Sequence, residues 1–532
     1  MCQTMHKELP AMKKTIRIRY DAKRTEEREI NYIPIRYILA ILLTVLETAA
    51  VIAVVMLLSY HVPYFYLAMW VTEIASIIHI IASDGNADYK IPWLIVVIVI
   101  PVAGLMLYIM FGSRKLKKKF IRRLELMRHA YTQDDTDALA VLEQSSPNAS
   151  AQAKMLQRIA NCHIFTNTAQ RYFPLGEELL PSLLADLQKA EHFIFMEYFI
   201  IEEGKFWNPI FEVLKEKAAA GVDVKVIYDD VGCIMTLPGN YDRILKGFGI
   251  ESIPFSRLKG NADSEFNNRS HRKITVIDGK IGYTGGINIA DEYINEKKLY
   301  GHWKDVGLRL EGDAVKELTR LFITDYCINV RRLPDTAKQD YFPQHHAQSD
   351  GFVIPFGDGP KPIYQRRVGQ TVIEDLLNLA HRNVWIMTPY LIIDNQLCTA
   401  LENAALRGLD VRLILPHIPD KKIIFEMTRS HYHRLMDAGV KIYEYEPGFV
   451  HAKVYMADGD TAMVGTINMD YRSLVHHFEN GVWMHKCSGV KSIEKDFEST
   501  FCKCIQMTKE NTKWNLLQRM FRAALKVFAP ML

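Results

Sequence analysis

The sequence predicts an α/β protein made of two duplicated units that pack about a pseudo-twofold axis, preceded by N-terminal membrane segments. The duplication is predicted by a repeated stretch. The stretch from His271 to Asn288, HRKITVIDGKIGYTGGIN, returns 180 residues later, from His451 to Asn468, as HAKVYMADGDTAMVGTIN. The order of predicted strands and helices recurs around both copies. Long apolar segments before residue 112 predict the membrane region.

Length and composition set the first bounds. A chain of 532 residues is long enough for more than one domain and a large core. The formal net charge of +4 gives no bulk basic excess for binding nucleic acid. The eight cysteines are scattered without a zinc or redox pattern. They indicate reduced residues in a cytosol-facing protein rather than a disulfide scaffold.

Three apolar segments follow the basic N-terminal tail. They span approximately Tyr37–Leu58, Tyr64–Ala82 and Ile91–Phe111. Each approaches the roughly 20 residues that a helix needs to cross a bilayer, which predicts integral membrane attachment. Basic residues cluster before residue 36 and again over 114–123, typical of anchors at an anionic membrane surface.

The number of crossings stays open between two and three. Basic clusters at both ends of the region favour an even number, with both ends in the cytoplasm. Glu47 interrupts the first segment, and Glu73 and His79 interrupt the second. Because charge in mid-bilayer is costly, one of these segments is either re-entrant, interfacial or paired with a neighbouring helix.

A soluble α/β pattern begins after a polar linker over residues 129–155, which contains one helical patch. The predicted elements of the first half are a strand at Phe193–Phe199, a helix at Pro209–Ala220, a strand at Val222–Tyr228, a helix at Tyr241–Phe248 and the His271 strand. Those of the second half are a strand at Val384–Met387, a helix at Asn395–Leu406, a strand at Leu409–Leu415, a helix at Phe425–Gly439, a strand at Val440–Tyr445 and the His451 strand.

The two halves also match in detail. AAAGVDVKVIYDD in the first half corresponds to ALRGLDVRLILPH in the second. Gly221 and Gly408 are each predicted to end a helix in a left-handed conformation before a buried strand. An internal duplication explains this correspondence better than two unrelated domains, and it places His271 opposite His451 in a shared cleft.

The repeated motif carries residues suited to phosphoryl chemistry. Strand alternation places His271 with Lys273, and His451 with Lys453, on one face. Two histidines and two lysines form a cationic pocket for a phosphoryl group, and histidine can attack phosphorus or carry protons. Asn288 and Asn468 add amide donors at the end of each motif.

Other interpretations of the motif residues are structural or metal-binding. Asp278 and Asp458 each precede a glycine, so a turn in which the carboxylate accepts backbone amides is the simpler interpretation. A lone histidine or lysine on a strand is usually structural, but the repetition makes chance an unsatisfactory explanation. Metal binding is disfavoured because each motif lysine would repel a cation and no carboxylate cluster accompanies it.

These residues resemble the phospholipase D superfamily, whose signature is two His-x-Lys-x4-Asp motifs meeting at one active site. The closer resemblance is to bacterial cardiolipin synthases, and it covers nearly the whole chain. It rests on IPWLIVVIVIPVAGLMLYIMFG, NNRSHRKITVIDGKIGYTGGINIADEYI, GHWKDVGLRLEG, MTPYLIID, FEMTRSHYHRLMDAGVKIYEYEPGFVHAK and VGTINMDYRS. The resemblance implies two phospholipase D-like α/β/α sandwich domains. His477 stands where many members of the family carry asparagine.

The resemblance also implies the roles of the site residues. The catalytic motif residues are His271, Lys273, Asp278, His451, Lys453 and Asp458. One histidine would form a phosphatidyl-histidine intermediate while the other acts as acid and base. His271 is the expected nucleophile by family analogy, although pseudo-symmetry allows the reverse. Asn288 and Asn468 would join the lysines at the phosphate, and Asp305 and Glu479 would orient the histidine of the opposite half.

The implied reaction transfers phosphatidyl from one phosphatidylglycerol to another and releases glycerol. It needs no metal or nucleotide, because one phosphodiester replaces an equivalent one. Another phosphatidyltransferase or a phospholipase D hydrolase is the main alternative. A nuclease of the superfamily fits less well, since membrane segments and modest net charge count against nucleic acid. A membrane scaffold with a decayed site is a further alternative, which the two intact motifs disfavour.

The C-terminal end predicts an amphipathic helix. Trp514, Leu517, Phe521, Leu525 and Phe528 recur at helical spacing, opposite Arg519, Arg522 and Lys526. The helix is either interfacial or docked on the catalytic domain. The expected organisation is therefore a basic cytoplasmic tail at 1–35, a membrane region at 36–112, a basic juxtamembrane segment and linker at 113–155, two domains at 156–345 and 346–505, and this helix at 506–532.

Overall fold

The computed structural model describes residues 64–83, 86–112, 137–257, 268–330, 340–361 and 363–531, with scattered positions between 42 and 60. Both predicted basic clusters, and half of the first apolar segment, lie outside the described residues. None of the helices in these ranges is long and apolar enough to cross a membrane.

Each half of the duplicated region is built around one mixed β-sheet. The first half contains β1 (Thr168–Phe173), β2 (Phe193–Tyr198), β3 (Asp223–Asp229), β4 (Glu251–Phe255), β5 (Ile274–Ile277), β6 (Ile281–Gly285), β7 (His302–Lys304) and β8 (Gly307–Gly312). The second contains β9 (Phe352–Asp358), β10 (Asn383–Met387), β11 (Leu391–Ile392), β12 (Asp410–Pro416), β13 (Lys441–Tyr445), β14 (Gly448–Val450), β15 (Val454–Ala457), β16 (Thr461–Gly465), β17 (Met469–Asp470), β18 (Glu479–His485) and β19 (Cys504–Gln506).

Helices connect and cover these strands. They are α1 (Phe65–Ala82), α2 (Ala87–Val99), α3 (Pro101–Leu107), α4 (Ala138–Ser145), α5 (Pro147–Ala160), α6 (Gly176–Leu187), α7 (Trp207–Ala219), α8 (Tyr241–Lys246), α9 (Val315–Val330), α10 (Val368–Leu379), α11 (Asn395–Leu406), α12 (Lys422–Arg429), α13 (Tyr432–Asp437), α14 (Tyr471–Val475), α15 (Ser488–Phe501) and α16 (Leu516–Phe528). A π-helical turn at Tyr108–Gly112 follows α3, and 3-10 turns lie at Asp291–Ile294 and Ala529–Met531.

The strand order of the two sheets is the same. The first sheet runs β1-β8-β6-β5-β2-β3-β4, and the second runs β9-β18-β16-β15-β10-β12-β13, with β19 added at the edge. In both, the central motif strand pairs antiparallel with its neighbours, while β2 with β3 and β10 with β12 are parallel pairs. This equivalence is the structural counterpart of the repeated sequence.

Three hydrophobic clusters fill the spaces between the sheets and the helices that cover them. One packs α6 and α7 on the first sheet, and another packs α5, α10 and α11 on the second. The third contains residues of both sheets together with α9 and α15. The two sheets therefore share a continuous apolar contact, which fixes the position of one motif relative to the other.

Several predicted elements need adjustment. The long helix predicted at Phe425–Gly439 is divided into α12 and α13, because the Ser430 hydroxyl donates to the carbonyl of Met427 (2.6 Å) and competes with the helical amide. The apolar segment Ile91–Phe111 breaks before Pro101, a residue that disfavours helical backbone at Ile100. Gly221 and Gly408 both adopt a φ of +92°, which confirms the two predicted left-handed helix ends.

The predicted linker is partly helical. Its described part forms α4 and the start of α5, which bury Leu142, Ala149, Ala153 and Leu156 in the core of the second half. The short side chains of Ala149 and Ala153 let α5 lie close to its neighbours, although most residues of the segment are polar.

Candidate active site

The two motif histidines precede their strands instead of lying within them. β5 begins at Ile274 and β15 at Val454, so His271 and His451 lie three residues before a strand. The His271 amide donates to the carbonyl of Phe478 (2.8 Å), and the His451 amide donates to that of Lys304 (2.7 Å). The prediction of an uninterrupted strand was therefore wrong at this point, because the backbone bonds of the histidines go to the opposite half.

Each of these backbone contacts brings a carboxylate to the histidine of the other half. Phe478 directly precedes Glu479, and Glu479 Oε2 lies 3.0 Å from His271 Nδ1. Lys304 directly precedes Asp305, and Asp305 Oδ2 lies 2.6 Å from His451 Nδ1. The carboxylates are fully buried, and each histidine is only 7% exposed. The contacts are therefore reciprocal between the two halves.

These carboxylates fix the tautomer of each imidazole. A carboxylate accepts the Nδ1–H proton, which leaves the Nε2 lone pair directed away from it. At His451, Lys453 Nζ also lies 2.8 Å from Nδ1, but that lysine already donates to the carbonyl of His451. We therefore assign the Nδ1 proton to the bond with Asp305.

Burial keeps both imidazoles neutral and both carboxylates ionised. Desolvation lowers the pKa of His271 to about 3 and that of His451 to about 4, with the nearby lysines adding to the effect. Burial by itself favours protonated carboxylates, but the adjacent histidines hold the pKa values of Glu479 and Asp305 below their ordinary values. Neutral imidazole is the form in which a histidine can attack phosphorus or accept a proton.

The two motif lysines lie in the same electrostatic environment. Lys273 Nζ donates to the carbonyl of His271 (2.7 Å), and Lys453 Nζ donates to the carbonyl of His451. Desolvation lowers the pKa of Lys273 to about 7 and that of Lys453 to about 8; each lysine also interacts with both Glu479 and Asp305. Lys453 further lowers the pKa of Lys273, so the two ammonium groups belong to one cluster.

The two asparagines have different surroundings. Asn288 accepts from the Ile200 amide (3.1 Å) and donates one of its two amide N–H groups to the Tyr293 hydroxyl (2.7 Å). The Asn468 side chain donates to the Asp470 carboxylate, while its buried Oδ1 has no hydrogen-bond partner among the described residues. Both amide groups therefore already donate to a neighbouring side chain.

The two motif aspartates lie at the far ends of their strands. Asp278 accepts the backbone amides of Glu191, His192 and Phe193 at 2.8–2.9 Å. Asp458 does the same for the amides at 381, 382 and 383 at 2.7–3.1 Å. Each carboxylate ties the turn after its motif strand to the start of a neighbouring strand and lies apart from the histidine. Both aspartates stand at Asp–Gly turns, as predicted, but the amides that they accept lie 75–87 residues away in sequence and not within the turn.

Other residues that sequence reasoning missed surround the orienting carboxylates. Thr466 and Ser473 donate hydroxyl protons to Glu479, the latter at 2.7 Å. Arg272 donates to the Glu479 carbonyl (3.1 Å) and to Asp325 (2.6 Å) in a buried ion pair. Thr466 and Ser473 fall within the repeated stretch and just after it, but their contacts depend on how the halves pack.

Gly286 and Thr466 occupy equivalent positions in the repeat but serve different carboxylates. A Cβ at Gly286 would lie 2.0 Å from Asp305 Oδ1, so only glycine leaves room for that carboxylate. The matching position in the second half instead supplies the Thr466 hydroxyl to the longer Glu479 side chain.

One cluster of side chains has the residue types and spacing of a possible metal site. Within the described part of the chain, ligand atoms of His271, His477 and Glu479 lie within 4.8 Å of one another. His271 Nδ1 already bonds Glu479, and the Lys273 ammonium is part of the same cluster. A cation would therefore face repulsion from a neighbouring positive charge.

The sequence matches two family models and several bacterial relatives. A family model described as cardiolipin synthase, PLD-like domain, matches residues 183–301 and 373–501, and one described as phospholipase D-nuclease N-terminal matches residues 74–113. An uncharacterized protein of Streptococcus mutans is 38% identical, with 86% of this chain and all of that protein covered. A cardiolipin synthase of Geobacillus kaustophilus is 35% identical, with 77% of this chain and 82% of the relative covered.

A solved structure has a similar fold. The crystal structure of phosphatidylserine synthase from Haemophilus influenzae aligns with a TM-score of 0.54 over 72% of this chain and 98% of its own. The sequence identity is 15%, so the likeness concerns the fold alone.

Proposed function

We propose, since this chain belongs to the cardiolipin synthase family of the phospholipase D superfamily, that it transfers a phosphatidyl group from one phosphatidylglycerol to another. The products are cardiolipin and glycerol. The observation that carries the proposal is the reciprocal pairing of each motif histidine with a buried carboxylate of the opposite half. Two correctly oriented imidazoles beside two lysines are the groups that a double displacement at phosphorus requires.

In the first step, His271 Nε2 attacks phosphorus and forms a P–N bond. The P–O bond to glycerol breaks, and His451 donates a proton to the departing oxygen. Lys273 and Lys453 hold the non-bridging oxygens, assisted by Asn468 and by the remaining N–H of Asn288. The anionic phosphodiester favours imidazolium when it binds, so it raises the pKa of His451 from the low value of the empty site.

In the second step, the terminal hydroxyl of another phosphatidylglycerol transfers its proton to His451. Its oxygen attacks phosphorus, and the P–N bond to His271 breaks. One phosphodiester is lost and an equivalent one is formed, so the reaction needs no external energy source. Glu479 and Asp305 are positioning residues in this scheme, since each acts through a histidine.

Asp278 and Asp458 contribute to catalysis indirectly in this proposal. They hold the ends of the two motif strands through backbone amides and thereby keep the histidines in place.

The domain boundaries at 156–345 and 346–505 remain those of the two duplicated units, and the cell membrane is the proposed location. The N-terminal apolar segments would anchor the chain, with the catalytic domains facing the cytoplasm.

Product analysis tests the reaction. Purified full-length protein is incubated with acyl-labelled phosphatidylglycerol, and lipids and released glycerol are quantified. We expect cardiolipin and glycerol in equal amounts, and no turnover by the His271→Ala variant, whose membrane binding should persist. Phosphatidic acid without cardiolipin would instead identify a hydrolase. A chelator should leave the rate unchanged.

A further inference from the structure

The C-terminal helix α16 has two different long faces. Arg522 lies on one face, donates to Glu426 of α12 (2.7 Å) and stacks over Trp514, with its guanidinium 4.0 Å from the ring centroid. Trp514 in turn stacks on His433 at 3.9 Å, and Leu525 packs against the core of the second half. This face fixes the helix on the catalytic domain.

The opposite face is apolar and exposed. Its large side chains are Leu516, Leu517, Met520, Phe521, Val527 and Phe528. At 3.6 residues per turn they occupy one arc of about 140°. Leu516 and Leu517 are 73% and 77% exposed, respectively. Such an arc on a helix whose opposite face is already docked is a surface that needs a partner.

Basic residues border this arc. Arg519 and Lys526 follow each other along one edge of the helix, between the exposed apolar arc and the docked face. Lysine and arginine at such an edge can extend their charge to lipid phosphates while their aliphatic stems stay in the apolar layer. The combination matches a helix that lies in the plane of a membrane surface.

The helix also lies beside the N-terminal helices. α16 contacts α2, and Met531 packs against the small cluster that contains Trp93 and Val97. On α2 itself, Ile98 and Val99 are exposed. Two helices that each carry exposed apolar side chains therefore contact each other.

We infer that α16 is an in-plane membrane helix, whose exposed arc inserts among lipid acyl chains and whose basic edge binds anionic headgroups. One helix thus holds the second half of the catalytic region against the bilayer, in addition to the N-terminal apolar segments. The sequence predicts either an interfacial or a docked helix. In this arrangement one face of α16 is docked on the catalytic domain and the opposite face is interfacial.

A lipid-depth measurement tests this arrangement independently of the reaction. In full-length protein with Cys2→Ser and Cys502→Ser, the environment-sensitive fluorophore NBD is attached at Leu517→Cys and, as the matched control, at Leu406→Cys. Leu406 is also highly exposed, at 70%, but lies at the end of α11. The fluorescence of label bound by the parent protein, which carries the two serine substitutions and no added cysteine, is subtracted as background.

In phosphatidylglycerol-containing vesicles, we expect NBD at position 517 to shift to shorter wavelength and to be quenched by lipids with a doxyl group on the acyl chain. NBD at position 406 should remain water-like. A shift at position 517 without lipid quenching would mean that protein, such as a second copy of the chain, covers the arc. That result, or a water-like emission, would overturn the inference.

A second measurement uses activity and so rests on the proposed function. Replacing both Leu517 and Phe521 by Glu removes two large apolar side chains from the interface, and we expect the KM for vesicle phosphatidylglycerol to rise about tenfold or more. Turnover of short-chain monomeric substrate should change by less than about twofold, as should both reactions of Leu406→Glu. Parent-like KM values on vesicles would contradict the inference, whereas loss of all turnover in the parent would count against the proposed function alone.

Discussion

At the scale of single residues, the site combines neutral histidines with lysines whose charge is sensitive to pH. Burial lowers the pKa of Lys273 to about 7 and that of Lys453 to about 8 in the empty site. A lysine with a lowered pKa is charged below that value and neutral above it. The positive charge that we propose binds the phosphate is therefore complete in mildly acidic solution and is lost as the pH rises.

The pH profile of kcat/KM should report this loss. We expect a plateau near pH 6 and a decline as the pH rises through about 7 to 8, the pKa values given above. Replacing Lys273, the lysine with the lower pKa, by Arg, which stays charged, should move the start of the decline from about pH 7 to about pH 8, at the cost of a lower plateau. An unchanged profile in Lys273→Arg would show that another group controls the alkaline limb.

Gly286 provides a steric test at the same scale. Gly286→Ala places a Cβ 2.0 Å from Asp305 Oδ1 and should displace the carboxylate that orients His451. We expect kcat to fall by about 100-fold, the usual cost of losing a residue that orients a histidine. The measurement is steady-state kinetics together with thermal unfolding.

Gly221→Ala is the matched control. Its Cβ would meet nothing within 4 Å, and its φ of +92° makes the substitution costly only to the backbone. The expected loss is about 1–2 kcal/mol of unfolding free energy with kcat unchanged. Equal kinetic losses in the two variants would mean that general destabilisation, and not the displaced carboxylate, explains the effect at Gly286.

At the scale of elements, the helices α4 and α5 join the core of the second half before the first sheet begins. Leu142 is fully buried there, whereas its neighbour Val141 is 53% exposed. Leu142→Ala should lower the free energy of unfolding by about 2–5 kcal/mol, the usual cost of a large-to-small core substitution. Val141→Ala should change it by less than about 0.5 kcal/mol. Denaturant unfolding compares the two variants, and equal values would show that α4 contributes little to the core.

The sequence predicted the central strands of both sheets and several of the covering helices, and it failed where the decisive contacts are remote. Alternation and glycine helix ends located β2, β3, β10 and β12 to within a residue or two, because these signals are local. Edge strands such as β1, β4 and β9 were not predicted. The strand starts at Ile274 and Val454 were missed, since the preceding residues bond the other half. Likewise, nothing local indicates that Thr466 and Ser473 contact Glu479. The helical patch predicted within the linker forms α4 and the start of α5, but no local signal indicates that its few apolar residues join the core of the second half.

At the scale of the whole molecule, duplication converts two incomplete sites into one. Each half supplies a histidine and a lysine, and also the carboxylate that the other half's histidine needs. The shared core between the sheets holds this exchange in register. Neither half contains both a motif histidine and its orienting carboxylate, which is a physical reason for the two copies to act together.

Trapping the covalent intermediate tests the central claim most directly. Full-length protein is mixed with labelled phosphatidylglycerol and quenched within one turnover at alkaline pH, where a P–N bond to histidine is preserved. Peptides are then mapped by mass spectrometry. The account predicts a phosphatidyl group on His271, absent when His271 is replaced by Ala. Formation of cardiolipin without an adduct on either motif histidine would contradict it.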